Sequence, residues 1–224
     1  MFSNASPLVL SLATSLLAML IILPIGTFVA WKLGSPKRFR GQVFVDTLLL
    51  LPLALPPTVV GFVLLMLLGR GTSVGLWLND RVGIQLVFTW VAGGIAGAII
   101  GGPLYVRSAA IAFRGIDRDL LEAGELFGAN RWDLARLVVV PLAKRGLIAG
   151  ASLAFARAIG EFGATLMVAG NIPGTTQTLP LALYSSVQNG EDRIALYYTV
   201  ILICITFALA LVVAALEPRH RNEF

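Results

Sequence analysis

Long apolar runs, broken by short polar and mostly basic segments, set the pattern of this chain. Five such runs fall at 8–31, 44–68, 84–106, 146–170 and 194–216. Each reaches the roughly 20 residues needed to cross a bilayer as a helix. The first begins MFSNASPLVLSLATSLL, without a basic leader, and stays apolar to Ala30. It therefore reads as a retained spanning helix and not as a cleaved signal segment. The second contains Pro52, Pro56 and Pro57, which break or bend a helix and release carbonyls that neighbouring helices or a cavity must satisfy. The third carries Gly93, Gly94, Gly97, Gly101 and Gly102, a spacing that favours close helix contacts over ligand contacts. A shorter stretch, TLPLALYSSVQ at 178–188, is too brief to span. It is expected to form a short helix at the outer surface or a partly inserted one.

Composition turns this pattern into a membrane assignment. Hydrophobic residues make up 57% of the 224 positions, charged residues 13%, and mean hydropathy is +0.85, against about 25% charged residues in soluble domains. One membrane domain, 1–224, fits this length. The net charge of +5 does not point to nucleic acid, because the basic residues flank the apolar runs and form no basic face. Of the 17 lysines and arginines, 13 fall on one side of the five-run topology: Lys32, Lys37, Arg38 and Arg40, then seven between Arg107 and Arg145, then Arg219 and Arg221. Arg70, Arg81 and Arg193 fall on the other, and Arg157 lies within a run. This imbalance predicts an outside N-terminus and a cytoplasmic C-terminus. The expected fold is all-α, a polytopic transmembrane bundle of five helices; a spanning 178–188 segment would overturn that parity. Cys204 and His220 are the sole residues of their kinds, which leaves no intrachain disulfide and no cysteine or histidine cluster for a metal.

The segment 107–145 is more than a connector. In RGIDRDLLEAGELFGANRWDLARLVVVPLAKR, Leu120, Ala123, Phe127 and Leu134 recur at helical spacing, with Arg118, Glu122, Glu125 and Asp133 as polar surface. Asp117 and Asp119 stand near the expected helix start, where negative charge favours the exposed amides. Gly128 interrupts the pattern and permits a turn. An amphipathic element followed by a bend suits insertion into a groove on another protein; a helix lying on the membrane surface is the alternative.

Glu122, Ala123, Gly124 and Gly128, followed by Val138, Val140 and Pro141, closely resemble the EAA signature of the ATP-binding-cassette importer permeases. Glycine replaces the signature's second alanine, and valine its isoleucine and leucine. The resemblance, which extends over nearly the whole chain, implies the type I importer permease (MetI-like) class. It also implies a coupling helix near 117–131, seated in a cleft of a separate nucleotide-binding subunit, with Glu122, Ala123, Gly124, Phe127, Gly128 and Pro141 as the ATPase-coupling residues. ATP and Mg would be held by that partner. Gly69, Gly71 and Gly75 lack the lysine and hydroxyl residue of a phosphate-cradling loop, so the chain itself is expected to bind no cofactor and to be no enzyme.

Inside the fourth run lies FARAIGEFGATLMVAGN. Arg157 and Glu161 stand four residues apart, on one face of a continuous helix, where each lowers the other's cost in a low-dielectric setting. Gly160 and Gly163 leave room beside them for another helix or a moving gate. The pair reads either as a structural salt bridge at a dimer seam or as a contact for a translocating anion, with Glu161 opposing the latter. Thr47, Thr58, Thr165 and Asn171 are uncharged candidates for lining a hydrated route, although threonines equally bond their own helix carbonyls.

RAIGEFG at 157–163, TLPLALY at 178–184 and LPLALPPTVVGFVLLMLLGRG at 51–71 are similar to the molybdate and tungstate branch of that permease family, and more distantly to its sulfate branch. The resemblance implies a multi-pass protein of the bacterial cell membrane. It implies a homodimer served by two ATP-binding subunits and an extracytoplasmic oxyanion-binding protein, with molybdate as substrate and no nucleic acid. Some members carry an additional N-terminal helix or a fused ATPase; this chain is expected to have five spans and a separate ATPase. Tungstate or sulfate import by the same architecture is the nearest alternative. An ion-coupled secondary transporter or a membrane scaffold would leave the 107–145 segment without a purpose.

Overall fold

The computed structural model describes residues 5–35, 39–82 and 85–216. Lys37, Arg38, Arg219, His220 and Arg221 lie outside the described residues. Among those described, the chain is helical throughout. The first helix, α1 (Pro7–Gly34), opens with proline just inside its start, and the Ser6 hydroxyl accepts the Val9 N–H at 3.4 Å, the side-chain cap an exposed helix end requires. Its buried stripe runs through Leu10, Thr14, Ala18, Ile22, Ala30 and Leu33. Thr14 and Ser15 donate to the carbonyls of Leu10 and Ser11 at 2.9 and 2.7 Å, so these hydroxyls are satisfied within an apolar interface.

The second apolar run is not one helix. It divides into α2 (Gln42–Ala54) and α3 (Pro57–Leu68), bent by 111°. Pro52 is absorbed inside α2, and the break falls at Leu55 and Pro56, both in extended conformation with ψ of 147° and 133°. Each precedes a proline, whose ring clashes with a helical residue before it. A short helix, α4 (Ser73–Val82), leads on towards α5 (Trp90–Arg114), which Thr89 caps through the Ala92 N–H. Next come the short α6 (Arg118–Leu126) and α7 (Arg131–Leu134), a π-helical turn at Ala135–Val139, and α8 (Val140–Ile159). The described residues close with α9 (Gly163–Ala169), α10 (Leu179–Gln188) and α11 (Asp192–Leu216).

Two bounds differ from the apolar runs for physical reasons. The run 84–106 becomes a helix from Trp90 to Arg114, and the run 146–170 becomes a helical span from Trp132 to Ile159. Hydropathy misses helix that continues through charged residues such as Arg107, Arg136, Lys144 and Arg145. The second helix also stops early, since Gly160 caps α8 and the chain restarts as α9 after Phe162. Four helices are long and apolar enough to cross a membrane, and the α2–α3 pair makes a fifth if it is counted as one broken span. At ten residues, α10 is only about 15 Å long. It lies against α1 and α11, with the Leu179 N–H donating to Ser11 Oγ at 2.7 Å.

Small residues set the helix directions. Gly94 of α5 meets Leu17 of α1, Gly26 meets Tyr105, and Gly34 meets Phe113, so α1 and α5 run parallel. The chain therefore leaves α1 at one end of the bundle and starts α5 at the other. The α2–α3 pair must make the return. By contrast, Gly97 and Gly101 of α5 meet Ala158 and Ala154, while Gly146 and Gly150 of α8 meet Ala112 and Ser108; α5 and α8 are antiparallel. One core cluster gathers α1, α5 and α8 around Ile22, Tyr105 and Ala154, and a second gathers α3, α5 and α9 around Val60, Ile100 and Val168.

A Cβ at Gly101 would stand 2.8 Å from the Ala154 carbonyl oxygen, which is backbone and cannot swing aside. Gly101→Val is expected to destabilise the protein by about 1–3 kcal/mol, read as earlier thermal aggregation in detergent. Gly102→Ala, whose nearest new neighbour is 3.8 Å away, should melt like the parent; equal melting of all three proteins would contradict this packing.

Candidate functional site

Two features stand apart from ordinary helix packing: a polar arm between α5 and α8, and a pair of helix breaks inside the bundle. The arm projects from the end of the bundle where α1 and α5 finish, and there Arg114 donates to the Leu33 carbonyl through Nε and Nη2 at 3.1 and 2.7 Å. Asp117 caps α6 by accepting the Asp119 N–H at 3.0 Å. The helix is strongly amphipathic and ends at Leu126, with Phe127 as its C-cap. Gly128 follows at φ +85°, a left-handed conformation that costs a residue bearing a Cβ about 1–2 kcal/mol. The coupling helix expected over 117–131 is thus nine residues long, followed by a turn.

That turn also corrects the apolar face. Leu134 does not continue the row of Leu120 and Ala123, because it belongs to α7. It folds back onto Gly124 instead, where an added Cβ would meet Leu134 Cδ2 at 2.5 Å. Glycine in place of the signature's second alanine thus leaves room for the tip of the Leu134 side chain against α6. Asn130 fixes the angle: its side chain accepts the N–H groups of Trp132 and Asp133 at 2.8 and 3.0 Å, and Asp133 returns a bond to the Asn130 N–H. This reciprocal cap was legible as Asn-x-x-Asp in the sequence but is absent from the residues singled out there. The arm leaves Leu126 and Phe127 88% and 92% exposed, with Trp132 and Leu137 also exposed. Glu122 is exposed beside them, and Pro141 opens α8 on an exposed surface.

The second feature lies where the α2–α3 break meets the α8–α9 break. Gly163 sits against Pro57 and Thr58, and Gly61 against Ala164 and Met167, with close approaches down to 2.7 Å for an added Cβ. The starts of α3 and α9 therefore lie side by side and point the same way. Arg157 and Glu161 are paired at 2.6 Å between Nη1 and Oε2, but not on the face of one continuous helix. Glu161 lies beyond the end of α8, in the break itself, and its second oxygen accepts the Ala164 N–H at 2.8 Å. One carboxylate thus satisfies a cation and an orphan amide at once, as a break within apolar surroundings requires. Glu161 is 2% exposed. Gly160 is exposed beside Arg157.

The four uncharged polar candidates are not brought into one row. Thr58 is exposed at the start of α3, next to Gly163, and Thr47 is exposed on α2 with its hydroxyl on the Val43 carbonyl at 2.8 Å. Thr165 is buried, its methyl group facing Gly93. Asn171 joins a network at the far end of the bundle from the arm, donating to Ser185 Oγ at 2.8 Å and accepting from Gln177 at 3.0 Å. These three residues line an open cavity of about 440 Å³. Among the described residues, no group of three or more His, Cys, Asp or Glu is placed to hold a metal.

A helical membrane bundle with an exposed amphipathic arm at one end fits the transporter-permease class that the sequence pattern implies. The inward-facing MetNI methionine ABC transporter shares this fold, with a TM-score of 0.62 at 17% identity, covering 94% of this chain and 92% of that one. The chain belongs to the family of binding-protein-dependent transport system inner membrane components, whose profile matches residues 4–222. Its relatives include the molybdenum transport system permease protein ModB of Escherichia coli K12, 42% identical over 205 residues, which cover 91% of this chain and 87% of that protein. ModB of Haemophilus influenzae is 40% identical over 179 residues, covering 80% and 78%. The sulfate transport system permease protein CysT of Escherichia coli is 31% identical over 194 residues, covering 87% and 69%.

Asn130→Ala removes the α7 cap and is expected to cost about 1 kcal/mol locally. Limited trypsin digestion should then cut faster at Arg131, while cleavage elsewhere keeps its rate. An unchanged rate at Arg131 would show that the cap does not hold the arm.

Proposed function

We propose that this chain is the permease subunit of an ATP-driven molybdate importer. It acts as a homodimer with two separate ATP-binding subunits and an extracytoplasmic oxyanion-binding protein. The observation that carries this reading is the arm, whose Leu126 and Phe127 stand almost fully exposed beside the Glu122–Gly128 signature. Apolar side chains so exposed on a rigid, capped element call for a partner groove. The molybdenum permeases among the relatives, similar over most of both chains, supply the substrate branch.

The basic residues flanking the helices support an arm in the cytoplasm and an N-terminus outside. The parallel α1 and α5 support five crossings, with the α2–α3 pair as the broken one. The Asn171–Gln177–Ser185 network then lies on the outer side, where the binding protein delivers its oxyanion. Closure of the two ATPase subunits draws the arms of the two copies together. The π turn and α8 carry that displacement from the arm to the break at Gly160, where α9 and α3 move as one packed unit. Direction comes from ATP-driven preference for one state over the other, since alternating access alone runs either way.

Proteoliposomes holding the chain, its ATPase and its binding protein should take up labelled molybdate only with ATP, and equal uptake without the ATPase subunit would refute the coupled mechanism. Competition among molybdate, tungstate and sulfate for the binding protein decides the branch; decisive preference for sulfate moves the chain to that substrate and leaves the importer reading standing. Phe127→Ala should weaken ATPase association by about 2 kcal/mol, roughly thirty-fold, as measured by co-purification titration. Unimpaired association together with full uptake would remove Phe127 from the coupling surface.

A further inference from the structure

The Arg157–Glu161 pair is lopsided in a way that its neutral sum conceals. The Glu161 side chain is 1% exposed, whereas that of Arg157 is 32% exposed. Both carboxylate oxygens are occupied, one by Arg157 and one by the Ala164 N–H. Among the described residues the Arg157 guanidinium makes a single hydrogen bond, through Nη1 to Glu161, which leaves the rest of its donor fork on the exposed side. The pair presents its cation and hides its anion.

Position adds the second constraint. Ala158, next in sequence to Arg157, packs on Gly97 of α5 beside Ala18 of α1, and Ala18 lies eleven residues beyond the start of α1. At about 1.5 Å per residue, Arg157 is therefore roughly 15 Å inside the bundle. A partly exposed guanidinium at that depth cannot face lipid and must border water or a second protein surface. Gly160 is exposed beside it, and Thr58 is exposed across the two breaks.

We propose that Arg157 is an oxyanion contact on the translocation path, and that Glu161 tunes it, supplying a buried opposing charge that keeps a dianion from being trapped there. This rests on the oxyanion-importer reading above. Arginine suits the task because its planar fork matches two oxygens of a tetrahedral anion and it stays charged at every relevant pH. Glu161 sets the strength of the contact, because removing its charge leaves an arginine with the full attraction of an unpaired cation.

The test uses the purified permease–ATPase complex without the binding protein, and labelled molybdate as the probe of equilibrium binding, alongside uptake by the complete system. Glu161→Gln keeps an oxygen for the Ala164 N–H. It should bind molybdate about tenfold more tightly than the parent, the effect of losing one opposing charge at this range, while its maximal uptake falls. Arg157→Gln should lose both binding and uptake, and Arg157→Lys should retain binding. A Glu161→Gln protein that binds no more tightly than the parent, or an Arg157→Gln protein that binds equally well, overturns the proposal. If Glu161→Gln does not assemble, the contrast between Arg157→Gln and Arg157→Lys decides by itself, equal binding being the contrary result. Failure of the parent to import any oxyanion would instead sink the importer reading, an outcome read from the uptake assay alone.

Discussion

Backbone amides and carbonyls have no water to turn to inside a bilayer, and that constraint governs this protein most strongly where its helices stop short. One of its helical spans is broken at Leu55–Pro56 and another stops at Gly160–Phe162 before α9 begins, and the two breaks are placed against each other. Glu161 satisfies the second by accepting the Ala164 N–H while its charge is met by Arg157. Gly61 and Gly163 let the broken pieces approach closely enough to exclude lipid. Remove the carboxylate and an ion, an amide and a helix start all lose their partner together.

Around this point the rest of the bundle is conventional in its physics. Small residues on α1, α5 and α8 bring backbones together, and hydroxyls such as those of Thr14 and Ser15 are returned to their own helices. The capped α6–α7 corner, held by Asn130 and by the contact of Leu134 on Gly124, is joined to α8 without a flexible link. From Arg131 to Ile159 the chain is continuously helical, so a displacement at the start of α7 reaches Gly160 without crossing a loop.

The sequence made much of this legible, and its failures have specific causes. Apolar run length located the spans because burial in lipid demands it, yet it misplaced the start of the fourth span, since Arg136, Lys144 and Arg145 are helical while being charged. The proline cluster signalled a broken second span. Which proline breaks it depends on the Pro56–Pro57 doublet, whereas Pro52 is accommodated inside α2. Arg157 and Glu161 were recognisable as partners from their spacing, but the helix ends between them, and only the fold reveals that the carboxylate also holds α9. Thr165 was a candidate for its uncharged polar side chain alone, and only the fold reveals that it is buried against Gly93. The amphipathic pattern of the arm was legible, and its inner corner was misphased because Gly128 turns left-handed.

Under the proposed function, force enters at the exposed corner of the arm and is expressed at two apposed helix breaks on the path between two copies. The most direct measurement of that claim is the distance between spin labels at Gly160→Cys in the two copies of the assembled complex, with Cys204 replaced by serine. The account predicts one well-defined inter-copy distance in the nucleotide-free complex that shifts beyond the width of its distribution when ATP binds. An absent inter-copy signal, or an identical distance in both states, would contradict it.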